Sequence, residues 1–201
     1  MLLGVAAITL GAGIASASAS TAATPAASSQ AALIQKILAN DIPQLVAYER
    51  AHGTTLVEVS PNGALVPDAT SPAKCHYSPT PNQKGKAGTI GNPHRSTSIL
   101  KKRKVNSTKV NSFIVCDRKV QGLVNRTYLY TLAGGKSTQR SYSTTNNKNE
   151  AVLANQGTFY DCKNSHKTTW DGAAIGVSVE GGKTYAGVGY SASSFTWDCG
   201  T

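Results

Sequence analysis

The chain has 201 residues, enough for one domain or two small ones, and 20 Lys and Arg against 10 Asp and Glu give it a net charge of +10. Its four cysteines form no C-x-x-C pair, which argues against a zinc site and against a thioredoxin-like redox centre. No nucleophile elbow, zinc-binding helix motif, EF-hand loop or P-loop is present, and nothing in the sequence calls for a cofactor or a metal.

Residues 1–20 carry no charge and are apolar and small, with a core from Leu2 to Leu10 that matches the central region of a signal peptide. Ala15-Ser16-Ala17 and Ala17-Ser18-Ala19 both suit a cleavage site. The usual basic residues before the apolar run are missing, so the true start is expected upstream. The run is too short and too broken by Gly, Ser and Thr for a membrane-spanning helix, and no stable membrane insertion is expected. Residues 21–29 are rich in Ala, Ser, Thr and Pro and predict a flexible spacer.

Residues 30–66 predict a helical pre-segment followed by a short hairpin. Ser29 is a candidate N-cap, and Leu33, Ile34, Ile37 and Leu38 form one apolar stripe. Asn40-Asp41-Ile42-Pro43 interrupts this helix, and Pro43 suits the first turn of a second one that stops at Gly53. A strand over 54–60, the turn Ser60-Pro61-Asn62-Gly63 and a short partner strand from Ala64 complete the segment. Residues 67–72 predict a linker. The pre-segment is mildly acidic against a basic remainder, so it is either a removable pro-segment, a second module or a permanent cap.

Residues 73–201 predict a β domain large enough to bury its own core. From Ser71 onward, 18 Lys and Arg stand against six Asp and Glu. Val110, Ser112, Ile114 and Cys116 alternate with Asn111, Phe113, Val115 and Asp117. Val124, Tyr128, Tyr130 and Leu132 share a face interrupted by Arg126. The polar run 137–143 predicts an edge strand, with a turn over 144–149, and Gly157 predicts a bulge. Ala173, Ile175, Val177 and Val179 give the clearest alternation, Gly181-Gly182 leads into a hairpin, and Phe195 and Trp197 share one face of a last strand. The fold class is therefore all-β, an antiparallel β-sandwich or small barrel with two disulfides, preceded by a short helical segment.

Behind an export signal, Cys75, Cys116, Cys162 and Cys199 are expected to form two disulfides in an oxidising, extracellular milieu. Three pairings are possible. Neighbouring strands come from neighbouring sequence, which favours Cys75 with Cys116 and Cys162 with Cys199. Each bridge closes a loop of about 40 residues and contributes on the order of 4 kcal/mol.

The densest charge run is Lys101, Lys102, Arg103 and Lys104, with Lys109, Arg118 and Lys119 nearby. Four adjacent cations repel one another, which predicts an exposed loop or edge strand able to contact phosphates, sulfates or carboxylates. Protection of a sheet edge by lysines is the alternative. Trp170, placed before Asp171-Gly172, is the aromatic residue expected near a loop as a platform for a sugar or base. His76, His94 and His166 supply the ingredients of a small hydrolase such as a nuclease, although their spacing does not join them, and His52 lies in the pre-segment. Glu150, Asp161, Asp171, Glu180 and Asp198 sit where turn chemistry accounts for them better than a glycosidase pair does. Asn106-Ser107-Thr108 and Asn125-Arg126-Thr127 match the N-glycosylation pattern, but the Ala/Ser-rich leader is in the style of bacterial export, where such matches arise by chance. The expectation is a secreted basic β domain, non-catalytic, that binds an anionic extracellular partner such as a cell-wall polymer, nucleic acid or acidic surface. A nuclease-like hydrolase and a protein inhibitor or toxin scaffold are the alternatives.

Overall fold

A computed structural model describes residues 25–40, 55–82, 88–100 and 102–201. The expected signal, the start of the spacer, the second helix over 42–53, His52 and Lys101 lie outside the described residues.

One helix and twelve strands make up the described residues. The helix, α1 (Pro25–Asn40), begins earlier than expected. Proline is pre-organised for a first turn and Ala26 and Ala27 favour helix, so residues expected as spacer join it and Ser29 is inside it rather than at its cap. Then come β1 (Val57–Val59) and β2 (Leu65–Thr70), joined by the expected turn, in which Gly63 N–H donates to Ser60 O and Gly63 takes a positive φ of 94°. The expected linker over 67–72 is instead largely strand. β2 is an edge strand, and an edge accepts Pro67, which has no N–H to donate. Beyond it, Glu180 accepts hydrogen bonds from Ser71 Oγ (2.6 Å) and Ala73 N–H (2.9 Å), which ties this stretch to the body of the fold.

The remaining strands are β3 (His76–Ser78), β4 (Thr89–Ile90), β5 (His94–Leu100), β6 (Arg103–Val120), β7 (Gly122–Ala133), β8 (Lys136–Asn147), β9 (Glu150–Asp161), β10 (Asn164–Glu180), β11 (Lys183–Ser191) and β12 (Phe195–Gly200). They form two sheets. The larger runs β2-β1-β11-β10-β7-β8, with β12 alongside the first half of β10 and β4 against the end of β11. The smaller runs β3-β6-β5, with β9 on the other side of β6. Neither sheet closes, so of the two expected architectures the sandwich holds and the barrel does not.

Two apolar layers result. Between the sheets, Leu56, Tyr77, Ile90, Val110, Ile114, Leu129 and Trp170 are buried together. On the outer face of the larger sheet, Leu33, Ile37 and Leu38 of α1 bury Val57, Val59, Ile175, Val177, Ala186 and Val188. The clearest alternation in the sequence, on β10, therefore faces the helix and not the opposite sheet. α1 is anchored at two points: Gln30 Nε2 donates to Gly182 O, and Leu38 O accepts from Tyr128 Oη and Arg126 Nη1.

The polar run lies at an edge, as its composition predicts, but as the longer β8, whose turn to β9 shrinks to Lys148 and Asn149. The bulge at Gly157 is present: Val110 pairs with Thr158 but Ser112 with Asn155, leaving one extra residue in β9. Both disulfides form in the expected pairs, Cys75–Cys116 and Cys162–Cys199.

Candidate functional site

β5 and β6 form a hairpin whose register pairs Leu100 with Arg103, Ile99 with Lys104, Thr97 with Asn106 and Arg95 with Thr108. Its tip is the basic run. Lys102 takes a φ of 66°, the left-handed conformation that two-residue hairpin turns require. Lys102, Arg103 and Lys104 are exposed. The sequence leaves loop and edge strand open, and the structure combines them: a turn followed by the first residues of β6, with β5 at the sheet edge.

Alternation along β6 separates the two cations of the basic run that belong to the strand, Arg103 and Lys104. Lys104 shares a face with Asn106, Thr108 and the buried Val110, and Arg103 points to the other side. The Lys104 face looks towards β12, where the hairpin and Trp197 border an open cleft of about 430 Å³ lined by Arg95, Ser96, Thr97, Asn106 and Trp197. The Arg95 guanidinium carbon lies 5.0 Å from the centre of the Trp197 ring. Trp197 Nε1 donates to Thr108 Oγ1 at 2.9 Å, and Thr108 Oγ1 lies 3.3 Å from Cys199 Sγ. The Cys162–Cys199 bridge then joins β12 to the end of β9 in the other sheet. The floor of the cleft is thus held by a disulfide, a hydrogen bond and a cation–π contact.

Carboxylates are mostly engaged elsewhere. Glu180 accepts from Ser71, Ala73 and Ser178, Asp171 from Ser191 and Gly172, and Asp161 from Ser98. Among the described residues only Lys74–Asp117 and Lys183–Glu58 form ion pairs, so the hairpin cations carry no carboxylate partner.

Trp170 is not a surface platform. It is fully buried, its ring 5.3 Å from that of Tyr160. The Asp171-Gly172 pair that suggested a loop lies within the 17-residue β10, and Gly172 is there because a side chain would come within 2.8 Å of Val110 Cγ2. The tryptophan at the surface cleft is Trp197, and Arg95 is its partner. Neither was singled out from the sequence. Their signal is long-range: Arg95 and Thr97 alternate on a strand whose partner is recognisable only once the basic run is seen as a turn.

The histidines do not converge. His76 pairs with Val115 and His94 with Lys109, six residues apart on β6, which is about 20 Å at the rise of a strand. His166 belongs to the larger sheet. Asp171 and Glu180 are nine residues apart along β10, about 30 Å. Asn125 is completely buried with its side chain fully bonded, so this glycosylation match is closed in the folded chain, whereas Asn106 is exposed at the cleft.

The fold and its site define a disulfide-braced antiparallel sandwich with a helix over one face and a basic hairpin at the edge of the smaller sheet. Comparison with known protein families, curated proteins and solved structures finds no match to the chain.

Proposed function

We propose that this is an exported, non-catalytic binding domain that holds an anionic extracellular partner on the β5–β6 hairpin. The observation that carries this reading is the exposure of Lys102, Arg103 and Lys104 on a hairpin at a sheet edge, with no carboxylate partner among the described residues. A cluster of unneutralised cations attracts polyanions through its summed field. Export is supported by the two disulfides, which persist in oxidising compartments.

The test is retention on an immobilised polyanion such as polyphosphate. Each cation near an anionic surface is worth about 1 kcal/mol, so Lys102→Gln, Arg103→Gln and Lys104→Gln together are expected to weaken binding roughly 100-fold at low salt. A triple variant that elutes with the unaltered protein overturns the proposal.

A further inference from the structure

Behind the basic tip, the hairpin carries a graded row of side chains on the face that meets β12. From the cleft outward the rungs are Arg95 with Thr108, Thr97 with Asn106, and Ile99 with Lys104. Two cations therefore share one face with a neutral hydroxyl and amide between them. They are two rungs apart, about 13 Å along the strands. We propose that this cleft is a subsite for a carboxylate-bearing sugar, one unit of a polymer in which charged units alternate with neutral ones. The proposal rests on the polyanion reading of the hairpin and narrows it to a substrate class.

Three observations point to this chemistry. First, Arg95 is held on Trp197, and Trp197 is itself held by Thr108 beside the Cys162–Cys199 bridge. An arginine already fixed in place presents its planar donor fork to a carboxylate at little entropic cost. Second, Thr97 and Asn106 supply neutral donors and acceptors suited to sugar hydroxyls, and Ile99, 77% exposed next to Lys104, offers an apolar contact to a ring. Third, a nucleic acid fits less well. Stacking of bases needs an open aromatic face. Trp197 is only 6% exposed and its ring is already covered by Arg95.

The experiment uses the full exported chain with both disulfides intact. The probes are a hexasaccharide of alternating glucuronate and N-acetylglucosamine, the same oligosaccharide with its carboxyls reduced to alcohols, and polyphosphate. Of the two tryptophans only Trp197 lines the cleft, whereas Trp170 lies away from it in the core, so a fluorescence change on titration reports Trp197. Saturable binding of the acidic hexasaccharide is expected, at least tenfold tighter than its reduced form. Arg95→Lys keeps the charge but loses the planar fork, and is expected to weaken the hexasaccharide about tenfold while leaving polyphosphate retention unchanged. Asn106→Ala, an exposed change that does not threaten the fold, is expected to cost several-fold for the hexasaccharide alone. If polyphosphate is retained but the hexasaccharide does not saturate, or binds both variants as it binds the unaltered chain, the cleft proposal fails and the hairpin reading survives. If neither polyanion is held, both fail together.

Discussion

The space between the sheets is filled in two different ways at its two ends. Where β10 and β11 face the smaller sheet, the larger sheet presents glycine: a side chain at Gly189 would lie 2.7 Å from Tyr77 Cγ, one at Gly176 2.8 Å from Ile114 Cδ1, and one at Gly187 3.0 Å from Leu56 Cδ1. Large side chains on one side fill hollows on the other. Where β7 and β8 face β6 and β9, the interior is polar. Asn125 Oδ1 accepts from Tyr77 Oη and Ser112 Oγ, Asn155 Nδ2 donates to Asn125 O and Ser143 O, and Thr158 Oγ1 donates to Thr127 O. Shape complementarity closes one end and a bonded network of amides and hydroxyls closes the other. Tyr77 belongs to both: its ring fills the hollow over Gly189 and its hydroxyl enters the network. Glycine and asparagine are poor strand formers, so both ends are made of residues whose local preference opposes the structure they occupy.

Crowding the first end is expected to cost most. Gly189→Ala sets a methyl against Tyr77 Cβ as well as Cγ, atoms too near the backbone to swing away, and is expected to lower stability by about 3 kcal/mol in a denaturant titration. Gly122→Ala, whose added carbon would meet only Val179 at 3.7 Å, serves as the control and is expected to change little. Equal effects at the two glycines would remove the distinction between packed and open positions.

Cutting the network comes next. Asn125→Ala strands the Tyr77 hydroxyl, leaves Ser112 with Thr127 as its only side-chain partner, and is expected to cost about 2 kcal/mol. Adding Tyr77→Phe removes one stranded donor, so the double variant is expected to be less destabilised than the sum of the singles. Strict additivity would mean that the two residues do not act as one bonded unit.

The smallest effect is in alkali. Burial pushes the Tyr77 hydroxyl well above the ordinary phenol range, with Tyr128 adding to it. Burial likewise raises Tyr128, and burial with the nearby Tyr128 brings Tyr130 up to about 12. These groups bind their protons more tightly when folded than when unfolded. Their stabilisation is whole below about pH 10, the unfolded value, and is lost as pH rises through the folded values. Phenolate absorbance is expected to lag behind free tyrosine from pH 10 upward, and stability to fall over the same interval. Full tyrosine ionisation near pH 10 with the sheet signal intact would contradict this.

Much of the frame is legible in the residues because it rests on local or neighbouring chemistry. The cysteine pairs follow from their order along the chain, each cysteine bridging to its neighbour in sequence, the polar composition of β8 marks an edge, and Gly63 and the Gly181-Gly182 pair mark turns. Like-charge repulsion is enough to expose the basic tip. The misreadings have a common origin in interactions from far along the chain. Trp170 follows threonines and precedes Asp-Gly, a local signature of a turn, yet β10 continues through Gly172 because Val110 needs the space. Residues 67–70 contain a proline and still form a strand because they lie at an edge. Trp197 reads as an ordinary core residue until Arg95, about a hundred positions away, is laid across it.

Sequence alone determined an alternating, cysteine-paired β chain with its positive charge gathered on an exposed turn, because alternation, turn preference and charge repulsion act over a few residues. Tertiary structure decided which face of each strand meets which layer, which tryptophan lines the cleft, and that the cations of the hairpin stand beside it. Those outcomes depend on whether a side chain more than fifty residues distant fills the space or leaves it open, and no local pattern encodes that.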